Sequence, residues 1–197
     1  MRCINKMALR NTLLSVGLLG LVSTQEVQAQ DRGKPYAKMT HGETLRVLVE
    51  KSEKVTYSTF DKEIKQFPGA VIMQATSTCP SAEKELLHRN QEIVYLQLLD
   101  KFAGARVNDL PLKFMWFDIC GRSGWNLLGI TGLETHMYLN GREIDRMVGG
   151  PTSLDWAREW YTFLSSEWIP TNLTHPNEEY VWRFQGTHDE KKIALRP

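Results

Sequence analysis

The sequence predicts an α/β domain with the element order β-α-β-α-β-α-β-β-α and a central mixed sheet. Residues 70–75 are a continuous apolar run broken only by Gln74, which is typical of a buried parallel strand. Residues 86–102 then carry apolar side chains at helical spacing over several turns. The pair Asn140-Gly141 separates two strand-like segments and indicates an antiparallel hairpin.

The first two elements precede the buried strand. Residues 45–49 alternate between apolar and polar side chains, which predicts a short strand. Ser58 is a candidate N-cap for a following helix that ends at Pro68-Gly69. The apolar side chains on one face of this helix are Phe60, Ile64 and Phe67.

The long helix after the buried strand is predicted to begin at Pro80, because proline suits the first helical position. Residues 103–111 are rich in loop-forming residues, and residues 112–119 predict the next strand. A turn over 121–124 and a short helical connection over 125–128 lead to the hairpin strands, residues 133–139 and 143–148.

The last helix follows a break at residues 149–151 and is rich in aromatic side chains. Thr152 and Asp155 predict its capped start. One interpretation is that Trp156, Trp160 and Phe163 face the core under a cover from the tail. The alternative is an exposed aromatic patch, with Trp156 and Trp160 as partner-binding residues.

The amino terminus has the pattern of a secretory signal. Basic residues precede an apolar run over 13–22, and small residues up to Ala29 offer a cleavage site. An uncleaved anchor is the alternative, but about ten apolar residues fall short of the roughly 20 that span a bilayer. We therefore expect a cleaved signal at 1–29, a flexible leader at 30–44, a domain at 45–169 and an extension at 170–197. Within that extension, residues 180–184 are expected to dock on the domain.

Composition limits the partners. The 24 Lys and Arg residues nearly balance the 23 Asp and Glu residues, so neither nucleic acid nor an anionic membrane is suggested. The five histidines have no metal-ligand spacing, and we expect no metal and no cofactor. The mature chain is expected to be soluble in the periplasm, without a membrane span, and to bind other proteins.

Signal cleavage leaves two cysteines, Cys79 and Cys120. In an oxidising compartment a disulfide between them is one possibility. A reactive free thiol at Cys79 and an inert capping thiol are the others.

The predicted element order resembles that of the thioredoxin-like fold family, and four local segments support the resemblance. Residues 75–81 lie where that family carries its Cys-Gly-Pro-Cys turn, and residues 129–135 resemble its Gly-Ile-x-Gly-Ile-Pro-Thr segment. Asn140-Gly141 followed by Gly149 resembles the closing hairpin, and residues 117–120 resemble the end of the middle strand. The resemblance implies that Cys79 and Cys120 follow neighbouring strands whose carboxyl ends point the same way, so a bridge is geometrically plausible if the Cα atoms come within about 7 Å.

The chain departs from the family at three parts of its redox apparatus. Without a gap, Thr78 and Ser81 fall on the two cysteine positions, whereas a one-residue insertion brings Cys79 and Ala82 there. Glu134 replaces the cis-proline, and the bond before it should be trans because a non-proline cis bond costs about 2.5–4 kcal/mol. Ile72 replaces a buried aspartate.

These departures predict an exported domain with a degenerate active site that serves as a protein-binding or envelope-complex assembly module. The expected binding residues are Thr78, Ser81, Glu134 and Thr135 in the former substrate groove, besides the two tryptophans. The alternative is a monothiol thiol-disulfide oxidoreductase or isomerase in which Cys79 is the catalytic thiolate.

Overall fold

The computed structural model of the protein describes residues 35–107, 109–120, 129–130 and 132–175. A mixed sheet has the strand order β1-β4-β2-β5-β6, and β3 pairs with β4. Strands β1, β4 and β2 are parallel, whereas β5 and β6 run antiparallel. The strands are β1 (Glu53–Val55), β2 (Ala70–Thr76), β3 (Arg106–Val107), β4 (Leu110–Asp118), β5 (Glu134–Leu139) and β6 (Arg142–Val148).

Helices pack on this sheet, which confirms the predicted α/β class with a central mixed sheet. The α-helices are α1 (His41–Lys51), α2 (Ala82–Lys101), α3 (Leu154–Phe163) and α4 (Ile169–Thr174). A π-helical segment, Leu164–Trp168, joins α3 to α4. Among the residues that the structure describes, none of the helices has the length and apolar character needed to cross a bilayer.

The core lies on both faces of β2, all of whose residues are buried. Ile72 packs with side chains of α1, α2 and α3 on one face. Val71 and Met73 pack on the other face with Phe60 and Ile64, which belong to the turn before β2. This two-sided burial explains the continuous apolar run, because a central parallel strand has no solvated face.

The strand predicted at residues 45–49 was wrong, because these residues lie within α1. Thr40 and Glu43 form a reciprocal capping box that starts the helix at His41. The buried residues of α1 are His41, Thr44 and Leu48, which follow helical spacing, whereas Val49 is 54% exposed. The first strand is β1, and α1 begins inside the segment expected to be a leader.

Two further elements differ from expectation. The helix expected after Ser58 is a single π-helical turn, Asp61–Lys65. Helix α2 begins at Ala82 with Ser81 as its N-cap, so Pro80 precedes the helix instead of opening it.

The hairpin between β5 and β6 agrees with the prediction from Asn140-Gly141. Both residues have positive φ, +49° and +79°, as a tight hairpin turn requires. The signal at 1–29, the connection at 121–128 and the expected docked piece at 180–184 lie outside the described residues.

Candidate functional site

Cys79 and Cys120 form a disulfide at the carboxyl ends of β2 and β4, with their Cα atoms 5.5 Å apart. Thr76 and Asp118 are paired in the parallel register of these strands, so the two cysteines leave the sheet side by side. The Cα distance lies within the usual range for a disulfide. The structure therefore contains the pairing that the sequence left open.

Asp118 holds both sides of this disulfide in place. Its Oδ1 accepts hydrogen bonds from the backbone amides of Thr78 (3.1 Å) and Cys120 (2.9 Å). Its Oδ2 accepts from the Thr78 hydroxyl (2.9 Å) and from the Lys54 ammonium (3.1 Å). Burial acts to raise the pKa of Asp118, but the amides of Cys120 and Thr78 and the Lys54 charge outweigh it and hold the pKa below its usual value.

The turn that carries Cys79 is accessible to solvent. Thr78, Cys79 and Ser81 are exposed, as is the whole first turn of α2 up to Leu86. The predicted binding residues Thr78 and Ser81 are therefore on the surface.

A shallow groove of about 390 Å³ adjoins Cys120 on the side of β1. Tyr57 is 53% exposed at this groove and Phe117 is buried beneath it. The lining residues are Lys54, Val55, Thr56, Tyr57, Ser58, Phe117, Asp118 and Cys120. The disulfide thus lies between the exposed α2 turn and a partly apolar groove.

Glu134 and Thr135, which were predicted to bind a partner, do not reach this surface. They are 0% and 1% exposed. Thr135 donates to Gln74 Oε1 (2.7 Å) and accepts from Gln91 Nε2 (2.9 Å). The sequence alone does not indicate these hydrogen bonds, because Gln74, Gln91 and Thr135 belong to three separate elements. Among the described residues every peptide bond is trans, including the bond before Glu134.

Trp156 and Trp160, the other two residues predicted to bind a partner, also lie in the core. They are 8% and 2% exposed, and their rings meet edge to face with centroids 6.0 Å apart. The aromatic side of α3 therefore belongs to the core, which is the first of the two interpretations of its aromatic side chains.

A buried polar network beside the disulfide was not predicted from the sequence. Glu92 of α2 is fully buried and accepts from Thr44 of α1. It also lies 3.0 Å from His41 Nδ1 and accepts from Thr76 of β2 at 3.0 Å. The Glu92 hydrogen bond is the main cause that raises the pKa of His41, in spite of burial. The signal for this network in the sequence is a run of polar residues between the apolar pair at 86–87 and the apolar segment at 93–96, namely His88, Asn90, Gln91 and Glu92.

His88 extends this network towards Cys79. Its Nδ1 accepts from the Ser77 backbone amide (3.3 Å) and lies 3.1 Å from the Thr76 hydroxyl. Burial, with the nearby charges of His41 and Lys84, lowers the pKa of His88 to about 4. His88 is therefore a neutral acceptor at neutral pH.

A second buried cluster lies on β5 and β6. His136 is fully buried, with Nε2 2.8 Å from Glu134 and Nδ1 3.6 Å from Glu143. Burial acts to lower the pKa of His136, but the two carboxylates outweigh it and raise the pKa. Burial alone would raise the pKa of Glu143, yet His136 and the Arg146 guanidinium (2.7 Å) lower it to about 2.

Within the described part of the chain, no group of three or more His, Cys, Asp or Glu side chains is arranged to hold a metal ion. A scan against protein-family models and a search of curated proteins found no match to the chain.

Proposed function

We propose that the protein is an exported, thioredoxin-like domain that binds another protein in the cell envelope and does not catalyse thiol-disulfide exchange. The fold proposal is supported by three parallel strands that precede an antiparallel hairpin, with Cys79 and Cys120 at neighbouring strand ends. The exported location is supported by the signal-like pattern of residues 1–29.

The observation that carries the functional proposal is the state of the cysteines. Cys79 and Cys120 are joined to each other, and Asp118 binds a backbone amide on each side of the bond. Exchange with a substrate requires an attacking thiolate and, for release, a second thiol. The second cysteine position of the family falls on Ser81 or, with a one-residue insertion, on Ala82. Neither side chain has a thiol.

The surface proposed for the partner comprises the exposed turn with Thr78, Cys79 and Ser81 and the adjoining groove at Tyr57. Aromatic side chains beside an apolar depression are common anchors in protein interfaces. The buried side chains of Glu134, Thr135, Trp156 and Trp160 have no part in it.

The catalytic half of the proposal is tested with purified mature protein beginning at Gln30. We expect insulin reduction by dithiothreitol, and oxidation of a dithiol peptide, to proceed at the rate of the Cys79→Ser/Cys120→Ser double variant. Turnover well above that control would contradict the proposal.

The binding half is tested by placing a photo-crosslinking amino acid at Ser81 or Tyr57 in cells that express the full chain. We expect a discrete crosslinked species in the periplasmic fraction from both positions. Lys62, which is exposed but lies outside the groove lining, is the control and should give none. Equal crosslinking from all three positions, or none from Ser81 and Tyr57, would contradict this surface.

The second candidate is a monothiol oxidoreductase that uses Cys79. It is favoured by the exposure of Cys79 and by the Ser77 hydroxyl 3.8 Å from its sulfur. This candidate requires a free acidic thiol, whose alkylation without reductant would have a midpoint well below pH 8. A protein that is alkylated only after reduction excludes it.

A further inference from the structure

A continuous chain of polar contacts connects the first turn of α1 to the sulfur of Cys79. Its members are His41, Thr44, Glu92, Thr76, His88 and Ser77, and we name them the Glu92 network. All six are buried, with exposures between 0% and 7%.

The inner part of the network joins three elements at one carboxylate. Glu92 of α2 contacts His41 and Thr44 of α1 and accepts from Thr76 at the end of β2. A buried carboxylate that loses such partners carries a large desolvation penalty. The positions of α1, α2 and the end of β2 are therefore interdependent.

The outer part of the network reaches the disulfide. The Ser77 amide donates to His88, and the Ser77 hydroxyl accepts from the Cys79 amide at 3.1 Å. The same hydroxyl lies 3.8 Å from Cys79 Sγ and donates to it. The position of Ser77 is thus fixed from one side by His88 and from the other by the disulfide-bonded residue.

We propose that the Cys79–Cys120 disulfide is a redox-sensitive latch on α1, coupled to it through the Glu92 network. The reductant is a dithiol, which breaks the S–S bond, donates two electrons and two protons to form two thiols, and itself becomes a disulfide. Reduction frees Cys79, and Ser77 loses its fixed partner. His88, which accepts from the Ser77 amide, and Thr76, which precedes Ser77 in the chain and donates to Glu92, then shift together with Ser77. That shift removes a partner from Glu92 and loosens α1.

Coupling of this kind is reciprocal, since two linked equilibria change each other by the same factor. If the oxidised state favours packed α1, then weaker packing of α1 makes the disulfide easier to reduce. The latch goes beyond the proposed function, and its failure would leave partner binding and the lack of exchange activity unaffected.

The first experiment compares amide hydrogen exchange in the oxidised protein and in the protein kept reduced with dithiothreitol. We expect the amides of α1 to exchange at least about 5-fold faster after reduction, the lower end of typical coupling. The α3 amides should change much less. Equal acceleration of α1 and α3 would mean general destabilisation and would overturn the latch, as would unchanged α1 exchange.

Two matched serine variants test the route. Ser77→Ala removes both contacts of the Ser77 hydroxyl with Cys79 and keeps the backbone amide that donates to His88, so the redox dependence of α1 exchange should largely disappear. Ser81→Ala lies on the other side of Cys79, and its side chain accepts no capping hydrogen bond from the part of the chain that the structure describes. It should keep the wild-type redox response. Similar behaviour of the two variants would overturn the proposed route.

The reciprocal arm uses Thr44→Val, which removes one hydroxyl at the α1 end and keeps the side-chain shape. Its disulfide should be easier to reduce, with the equilibrium constant against dithiothreitol shifted by up to the factor measured for α1 exchange. An unchanged constant in a folded variant would overturn the coupling. If Thr44→Val does not fold, the comparison of α1 exchange in Ser77→Ala and Ser81→Ala is the test of the coupling.

Discussion

Asp118 is the residue on which the geometry of the disulfide depends most directly. One carboxylate accepts four hydrogen bonds, from the Thr78 amide, the Thr78 hydroxyl, the Cys120 amide and Lys54. A strand-end aspartate is visible in the sequence, but its partners are not, because Lys54 and Thr78 lie 64 and 40 residues away.

Replacing Asp118 with Asn should destabilise the protein. An amide lacks the charge that binds Lys54 and has one acceptor oxygen where the carboxylate has two. We expect the free energy of unfolding in urea at pH 7 to fall by about 1.5–3 kcal/mol, the range for hydrogen bonds to charged groups. Asp155→Asn is the matched control, since Asp155 is exposed and forms a surface ion pair with Arg158, and it should lower the value by less than about 1 kcal/mol.

The acid dependence of the Asp118 variant gives a second readout. The folded pKa of Asp118 is below its usual value, so its contribution is present above the unfolded pKa and is lost as pH falls through the folded pKa. The stability gap between wild type and Asp118→Asn should therefore narrow below about pH 4. A gap that is constant with pH would contradict the role of the charge.

The histidines His136 and His88 should give stability slopes of opposite sign. The raised pKa of His136 means that its contribution is complete below about pH 6.5 and is lost as pH rises through the folded pKa. The pKa of His88 is lowered to about 4. Its contribution is present above about pH 6.5 and is lost as pH falls towards 4.

Urea unfolding from pH 4 to 9 tests this pair. His136→Gln should remove part of the decline on the alkaline side, and His88→Gln part of the decline between about pH 6.5 and 4. The remaining alkaline decline should come from His41, whose pKa is also raised. Parallel pH profiles for the two variants would contradict the assigned directions.

Among the elements, those governed by local rules were predicted well. Strand β2 and the β5–β6 hairpin follow from an apolar run and a turn dipeptide. Helix α1 was missed because the alternation of residues 45–49 outweighed the capping signature at Thr40 and Glu43, which is also present in the sequence. The strand at this edge of the sheet is β1, which has three residues and follows α1.

The hairpin turn packs closely against another element. Gly141 has φ of +79°, and a Cβ built there would lie within van der Waals overlap of the Lys65 carbonyl oxygen at the end of the π-helical turn. The Asn-Gly signal accounts for the dihedral angles of the turn. It does not report this long-range contact, so the sequence could not predict the tight packing.

Gly141→Ala should therefore cost more than the strain of the turn alone. We expect a loss of about 2–5 kcal/mol in the free energy of unfolding, which combines left-handed strain with overpacking. Gly104→Ala is the matched control, because Gly104 has φ of +68° but no described atom lies within 4 Å of the place a Cβ would occupy. It should cost about 1–2 kcal/mol. Equal losses in urea unfolding would contradict the contact with Lys65.

For the whole molecule, the α/β class with a mixed sheet was predictable and the burial of the polar groups was not. His88, Gln91 and Glu92 lie on a helix that contacts α1, α3 and β2, so polar side chains that would be solvated on a surface helix are enclosed. The burial of Glu134 and Thr135 was missed for the same reason. Composition and spacing do not reveal which face of an element a neighbour covers.

The disulfide links the two central strands, and its removal should lower the stability of the whole molecule. The bonded residues are 41 apart in the sequence. Closing a loop of that length in the unfolded chain corresponds to about 4 kcal/mol. We expect Cys79→Ser/Cys120→Ser to lose about that amount in urea unfolding.

Wild-type protein unfolded in the presence of dithiothreitol should match the double variant, which separates loss of the bond from effects of the serines. A single Cys120→Ser variant should be destabilised to a similar extent, because one cysteine cannot close the loop. A loss much below about 4 kcal/mol in all three samples would mean that the oxidised form has little thermodynamic advantage. Such a disulfide would be easily reduced, and this would favour the oxidoreductase alternative over the binding domain.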